Sequence, residues 1–351
     1  MNTMITPHSL DGSLAGNTRA LPTFPTRSNP AATTGTRKRH LLAAILASIA
    51  AMCLITVLLF HGFVAWTLAY PFVPPLASNP KEAIGLAYEE IIIPSHSGNT
   101  TVSGWYIPAS EAGHANEANR TIVFSHGYGA NREESWVPMY ELTKLVHRLD
   151  YNVLLFDYGY ASKEYKAPAT GGREESAQLL AVVNYAKTRG AQEVVVWGFS
   201  MGAGTALQAA LASDEIDAMI LDSLFLPSPK ALFDNLTRYV ALPEFPSLPL
   251  LESMLHLWTG TSFDALPVDA IMNYQYDIPI FIVHGTNDDK AAQVTAETIA
   301  ANQKEQLSRS WIVENGYHEL LYRKNPKEYI QRAALFLSQV EQKLESEAEY
   351  A

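Results

Sequence analysis

EVVVWGFSMGAGTALQAAL, residues 193–211, reads as a strand, a tight turn and a helix in direct succession. Val194, Val195 and Val196 are β-branched and suit a short buried strand. Gly198-Phe199-Ser200-Met201-Gly202 then matches G-x-S-x-G, and the Ala- and Leu-rich run that follows favours helix. Strand, turn and helix in that order are the setting in which this pattern forms a nucleophile elbow. Glycines on both sides of the serine let the chain bend where a Cβ would collide with its neighbours. Ser200 would then stand at the top of a sheet, at a helix N-terminus that favours developing negative charge.

The rest of the body repeats this alternation. Strands are expected over 87–93, 101–107, 121–125, 152–157, 193–197, 218–221, 279–283 and 310–314, and helices over 135–149, 172–189, 201–213, 292–302 and 326–343. The runs VLLF, VVVW and IFIV show no polar alternation, which predicts an α/β domain whose parallel sheet is covered on both faces. Residues 223–276 break the rhythm with six prolines and an excess of Leu, Phe, Tyr and Trp. They are expected to form a helical cap. Most of its apolar side chains should pack it onto the sheet, and some should line an acyl pocket beside Ser200.

Ahead of the body lies RKRH and then a run from Leu41 to Tyr70 without a single charge. About 20 apolar residues suffice to cross a bilayer core, so 41–70 is expected to be one transmembrane anchor. The basic flank places the N-terminus in the cytoplasm and the body on the other side. Residues 1–40 read as a disordered tail, 71–80 as a proline-stiffened linker, 81–345 as the folded domain, and SEAEYA at the end as frayed. Among 351 residues, 48% are hydrophobic and 17% charged, with a net charge of −11. Five basic residues before Leu41 leave 20 basic against 35 acidic residues after Tyr70. An acidic body of that kind excludes nucleic acid as a partner. Cys53 is the only cysteine, so no intrachain disulfide forms.

A serine hydroxyl is a weak nucleophile and needs a base that is itself oriented by an acid. On this strand order both follow the serine, at the ends of later strands. PIFIV runs into HGTNDD, and SWIVE runs into NGYH. Ser200, Asp288 and His318 are taken as the triad. Asp289 is the main rival for the acid and Asp222 a weaker one, because the sequence does not show which carboxylate is buried against the imidazole. His284 is expected to brace the acid turn, and His256 falls inside the cap. The oxyanion donors are expected to be the N–H of Met201 and the N–H of Tyr128 in SHGYGAN. The histidines and Cys53 have no metal-ligand spacing, and no phosphate-binding G-x-x-x-x-G-K occurs.

GWYIP at 104–108, SHGYGAN at 125–131, GFSMGAGTAL at 198–207, DS at 222–223, HGTND at 284–288 and GYH at 316–318 together resemble the α/β-hydrolase superfamily. Within it the chain is similar to membrane-anchored serine hydrolases related to monoacylglycerol lipases, acyl-protein thioesterases and serine aminopeptidases. The likeness spans residues 75–340. It implies an eight-stranded, mostly parallel sheet whose second strand is antiparallel, and serine-ester chemistry without a cofactor. One segment departs from the pattern: DYGYAS at 157–162 stands where relatives often carry Asp-Tyr-Arg-Gly-x-Gly-x-Ser.

The expected activity is hydrolysis of a small-molecule or lipid carboxylic ester or thioester, with the membrane as the other partner. A peptidase releasing N-terminal residues is the alternative, and Glu244 and Glu252 are its candidate holders of a substrate amine. A non-catalytic binding protein on the same fold would be expected to have lost one of the three residues, and none is lost.

Overall fold

A computed structural model describes residues 33–109 and 119–350. The chain divides into two compact units, Met1–Ile55 and Thr56–Ala351. All that is described of the first is helix α1, which runs from Thr33 to Ala69, so that its last turns belong to the second unit. In chain order the second unit continues through α2 (Pro80–Ile84), β1 (Glu89–Pro94), β2 (Thr101–Ile107), β3 (Arg120–Ser125), α3 (Met139–His147) and β4 (Asn152–Asp157). Then come α4 (Arg173–Thr188), β5 (Glu193–Phe199), α5 (Met201–Ala212) and β6 (Ala218–Asp222). After α6 (Pro229–Thr237), α7 (Glu244–Thr259) and α8 (Val268–Asn273), the chain closes with β7 (Ile280–Gly285), α9 (Gln293–Asn302), β8 (Arg309–Val313), α10 (Leu321–Lys324) and α11 (Pro326–Tyr350).

The eight strands form one sheet in the order β1-β2-β4-β3-β5-β6-β7-β8. β2 is antiparallel to both neighbours, and every pair from β4 onward is parallel. Successive strand residues point to opposite faces. Val194 and Val196 therefore join one core with Leu179, Val183, Ala206 and Ile299 of α4, α5 and α9. Val195 and Trp197 join the other with Leu142, Val146, Tyr329 and Phe336 of α3 and α11. Burial on both faces is why the central strands carry no polar alternation. In the edge strand β1 burial alternates, with Ile91 and Ile93 buried and Ile92 exposed, although the sequence EEIIIP does not alternate in polarity.

Several boundaries differ from expectation for physical reasons. The tail assigned to 1–40 is already helical from Thr33, because extending a helix adds one hydrogen bond per residue fixed once its core exists; the assignment for 1–32 lies outside the described residues. The first helix after β3 starts at Met139 rather than 135, since Pro138 disfavours helical conformation in the residue before it. The linker ends one residue early, at an Asn79 side chain that caps α2 by accepting from Glu82 N–H. The C-terminal residues 346–350 continue α11 rather than fray, with Lys343 paired to Glu347 one turn on. Between β6 and β7 the expected cap is present as α6, α7, a short 3-10 turn at Phe263–Ala265 and α8.

Candidate active site

The carboxyl ends of parallel strands carry all three residues singled out above, the end where open α/β sheets place their ligand crevices. Ser200 sits between β5 and α5 with φ 51° and ψ −118°, off the regions that L-residues favour. The turn is held from outside: Ser200 N–H donates to Asp222 O (2.9 Å), and its carbonyl accepts from Phe225 N–H (3.2 Å). It is also tight, since a Cβ at Gly202 would stand 2.1 Å from the Ser125 carbonyl oxygen.

His318 follows β8 and Asp288 follows β7. His318 Nε2 lies 2.8 Å from Ser200 Oγ, and His318 Nδ1 lies 2.7 Å from Asp288 Oδ2. The second Asp288 oxygen accepts from the N–H groups of Lys290 (3.0 Å) and Ala291 (2.8 Å). Burial alone would raise the Asp288 carboxyl. Its hydrogen bond to His318, the His318 charge and the Ala291 N–H outweigh burial and hold it below the ordinary carboxylate value. An ionised carboxylate on Nδ1 leaves Nε2 free to accept a proton from Ser200.

The rival acids lie elsewhere. Asp289 turns outward to Arg238 (2.7 Å) with its side chain 66% exposed. Asp222 is buried at the end of β6, where it accepts from Tyr329 Oη (2.6 Å) and Ser223 Oγ (2.7 Å). Ser223 Oγ in turn accepts from Glu319 N–H (2.8 Å), so Asp222 steadies the residue after His318 rather than the imidazole. Burial pushes the Asp222 carboxyl from 3.8 up to about 7. The folded state therefore holds a proton that the unfolded chain has released, and this group's contribution to stability, full below pH 4, declines as pH rises towards 7. Urea midpoints measured between pH 5 and 7.5 are expected to fall less steeply for Asp222→Asn than for the unaltered chain. Equal slopes would contradict this.

His284 is buried against the acid turn, Nε2 donating to Ala291 O (3.2 Å), and burial lowers its pKa. His256 is exposed on α7 and does not line the cavity at Ser200. Met201 is the first residue of α5, so its N–H has no carbonyl within the helix to bond. In the loop after β3, Gly127 N–H donates to Glu134 Oε1 (3.0 Å), and Tyr128 lines the cavity beside Ser200. His126 braces the same loop: Nε2 accepts from Tyr158 N–H (3.2 Å) and Nδ1 donates to Gly127 O (2.9 Å). Burial pushes its pKa down to about 4, keeping the ring neutral. In the departing DYGYAS segment, Asp157 pairs with buried Arg132 (2.8 Å), and Tyr160 Oη donates to Gly127 O (2.9 Å).

Two functional candidates were missed. Glu319, directly after His318, and Glu134 are both buried, and both carboxyls face Gly127. Glu134 Oε2 and Glu319 Oε1 have no hydrogen-bond partner, Glu319 Oε2 accepts from Trp136 Nε1 (2.5 Å), and it stands 3.9 Å from His318 Nε2. Burial and then the Glu319 charge push Glu134 well above the ordinary value, and burial raises Glu319. A Cβ at Gly127 would stand 2.3 Å from Glu319 Oε1 and 2.8 Å from Glu134 Oε1, so these side chains would have to shift to admit it. Only the position of Glu319 beside a candidate histidine could have pointed to it.

A cavity of about 300 Å3 opens at Ser200, lined by Tyr128, Trp136, Phe225, Leu232, Leu236 and Leu255 among others. Cap residues thus divide as expected, with Phe225, Leu232 and Leu236 on the cavity and Phe233 and Leu251 packed behind it. Neither Glu244 nor Glu252 lines this cavity. Among the described residues no group of His, Cys, Asp and Glu is arranged to hold a metal ion.

The model of the alpha/beta hydrolase family matches residues 122–332, more than half of the chain. The uncharacterised protein YqkD of Bacillus subtilis is 28% identical over 250 residues, 70% of this chain and 78% of its own. The uncharacterised protein YfhR of Escherichia coli is 32% identical over 129 residues, which cover 36% of this chain and 44% of that relative, less than half its length. Among solved structures, the Pyrococcus furiosus esterase Pf2001 superposes with a TM-score of 0.59 at 21% identity, over 76% of this chain and 97% of its own.

Proposed function

Because this chain belongs to the alpha/beta hydrolase family, we propose that it is a serine hydrolase cleaving a carboxylic ester or thioester through an acyl-enzyme on Ser200. The observation that carries this reading is the unbroken series Ser200 Oγ, His318 imidazole, Asp288 carboxylate, with contacts of 2.8 and 2.7 Å. His318 Nε2 takes the Ser200 proton as Oγ attacks the carbonyl carbon. The oxyanion is received by the N–H groups of Met201 and Tyr128. The imidazolium then passes that proton to the departing alcohol or thiol as its bond to carbon breaks. Water, deprotonated by the same nitrogen, attacks the acyl-enzyme, and the acid leaves with Ser200 restored.

The apolar cavity supports an acyl group over a charged one, and the fold shared with an esterase supports the ester. A free substrate amine would need a carboxylate in the cavity, and neither Glu244 nor Glu252 lines it. α1 is long and apolar enough to cross a membrane. It serves in this reading as a single-pass anchor with the N-terminus in the cytoplasm and the hydrolase on the other side, as the preceding basic cluster supports. Ester hydrolysis by Ser200→Ala is expected to fall by at least about 10⁴-fold in kcat. Turnover within tenfold of the unaltered chain would remove Ser200 from the reaction.

A further inference from the structure

α1 is longer than a membrane anchor needs to be. Its 37 residues extend about 55 Å at ~1.5 Å each, against a hydrocarbon core of about 30 Å. The exposed stretch from Leu41 to Phe60 by itself matches that core. Burial begins at His61; Val64 and Ala65 are packed with Phe233, Leu251, Leu255, Phe263 and Leu266 of the cap, and Ala69 is buried. The backbone of these last turns is tied in as well. Trp258 Nε1 donates to Gly62 O (3.1 Å), Tyr128 Oη to Leu68 O (2.6 Å) and Ala169 N–H to Ala69 O (2.7 Å). Leu68 goes further, since its side chain lines the same cavity as Ser200 and its carbonyl holds the tyrosine whose N–H is assigned to the oxyanion.

We propose that the last turns of the anchor helix are one wall of the acyl-binding cavity, and that Leu68 is a specificity-determining residue for esters of a single medium-length, unbranched acyl chain. The inference rests on the serine-hydrolase reading above. A cavity of about 300 Å3 is at the small end of the ~300–1,000 Å3 range of ligand pockets, so one chain rather than two occupies it. Its walls are apolar from both sides: Leu232, Leu236 and Leu255 from the cap and Leu68 from α1. Removing or enlarging one apolar wall residue changes discrimination between chain lengths by roughly 10–200-fold per methylene lost or gained. The anchor thereby helps to select the acyl chain, besides fixing where the enzyme resides.

The test uses the full chain in detergent micelles, with p-nitrophenyl acetate, octanoate and dodecanoate as substrates and a fluorophosphonate probe reporting an intact Ser200 site. Leu68→Trp is expected to lower the octanoate-to-acetate ratio of kcat/KM at least tenfold. Leu68→Ala is expected to move the preference the other way, towards dodecanoate. Leu46→Trp, on the exposed early part of the same helix, is expected to keep the unaltered ratios. Unchanged ratios in both Leu68 variants overturn the inference while leaving the hydrolase reading intact. If Leu68→Trp loses the probe as well, the direction of the Leu68→Ala shift decides. An unaltered chain that turns over no ester and takes no probe overturns the hydrolase reading, and this inference with it.

Discussion

Asp288→Asn is expected to lower kcat by about 10⁴-fold, while Asp289→Asn next to it stays within about twofold of the unaltered chain. An asparagine at 288 offers His318 Nδ1 an amide in place of a carboxylate. The imidazole can then settle with its proton on Nε2, facing Ser200 and unable to take another, and the imidazolium formed during attack loses its counter-charge. The Asp288 side chain is fully buried, so no water replaces what is lost. Asp289 differs in every respect: it is exposed and bound to Arg238 across the surface, an interaction of about 0.2–1 kcal/mol at most. Steady-state kinetics on the two single variants separates them. Loss of turnover in Asp289→Asn alone would reverse the assignment.

Gly202→Ala is expected to abolish the folded hydrolase rather than only its turnover. The new Cβ would stand 2.1 Å from Ser125 O and 2.6 Å from His126 O, both backbone atoms at the end of a central strand. Neither can swing aside as a side chain would. Ser125 is also tied to this turn, its Oγ donating to Gly202 O at 2.9 Å, and His126 leads directly into the Gly127-Tyr128 loop. Overpacking against movable side chains costs about 1–3 kcal/mol, and against fixed backbone more, a large part of a stability of about 5–15 kcal/mol. Urea unfolding of purified protein, or its absence from the soluble and detergent-extracted fractions, is the measurement. A midpoint equal to that of the unaltered chain would contradict the close packing of this turn.

The sheet was legible because its strands are buried on both faces. VVVW at 194–197 could be assigned without any partner in view, since Val and Trp alternate between two equally dry cores. Ser200 and His318 were legible through order, each placed by a strand that ends just before it. The choice between Asp288 and Asp289 was not legible. Adjacent residues in one turn point opposite ways, and what pulls Asp289 outward is Arg238, an α6 cap residue some 50 positions away. The Glu134–Glu319 contact joins two loops far apart in sequence, and nothing in either segment announces the other. The last turns of α1 were hidden for a different reason. Leu68 is as apolar as Leu54, so composition cannot separate a face meant for lipid from one meant for protein. Only the burial that starts at His61 does so.

The most direct test of the account is to treat the full chain with a fluorophosphonate, digest it and map the modified peptide by mass spectrometry. A Ser attacking phosphorus through its Oγ, activated as His318 and Asp288 are placed to activate it, yields one stoichiometric adduct on Ser200, and none in Ser200→Ala or after heat unfolding. An adduct on another residue, or labelling that persists in Ser200→Ala, would contradict the account at its centre.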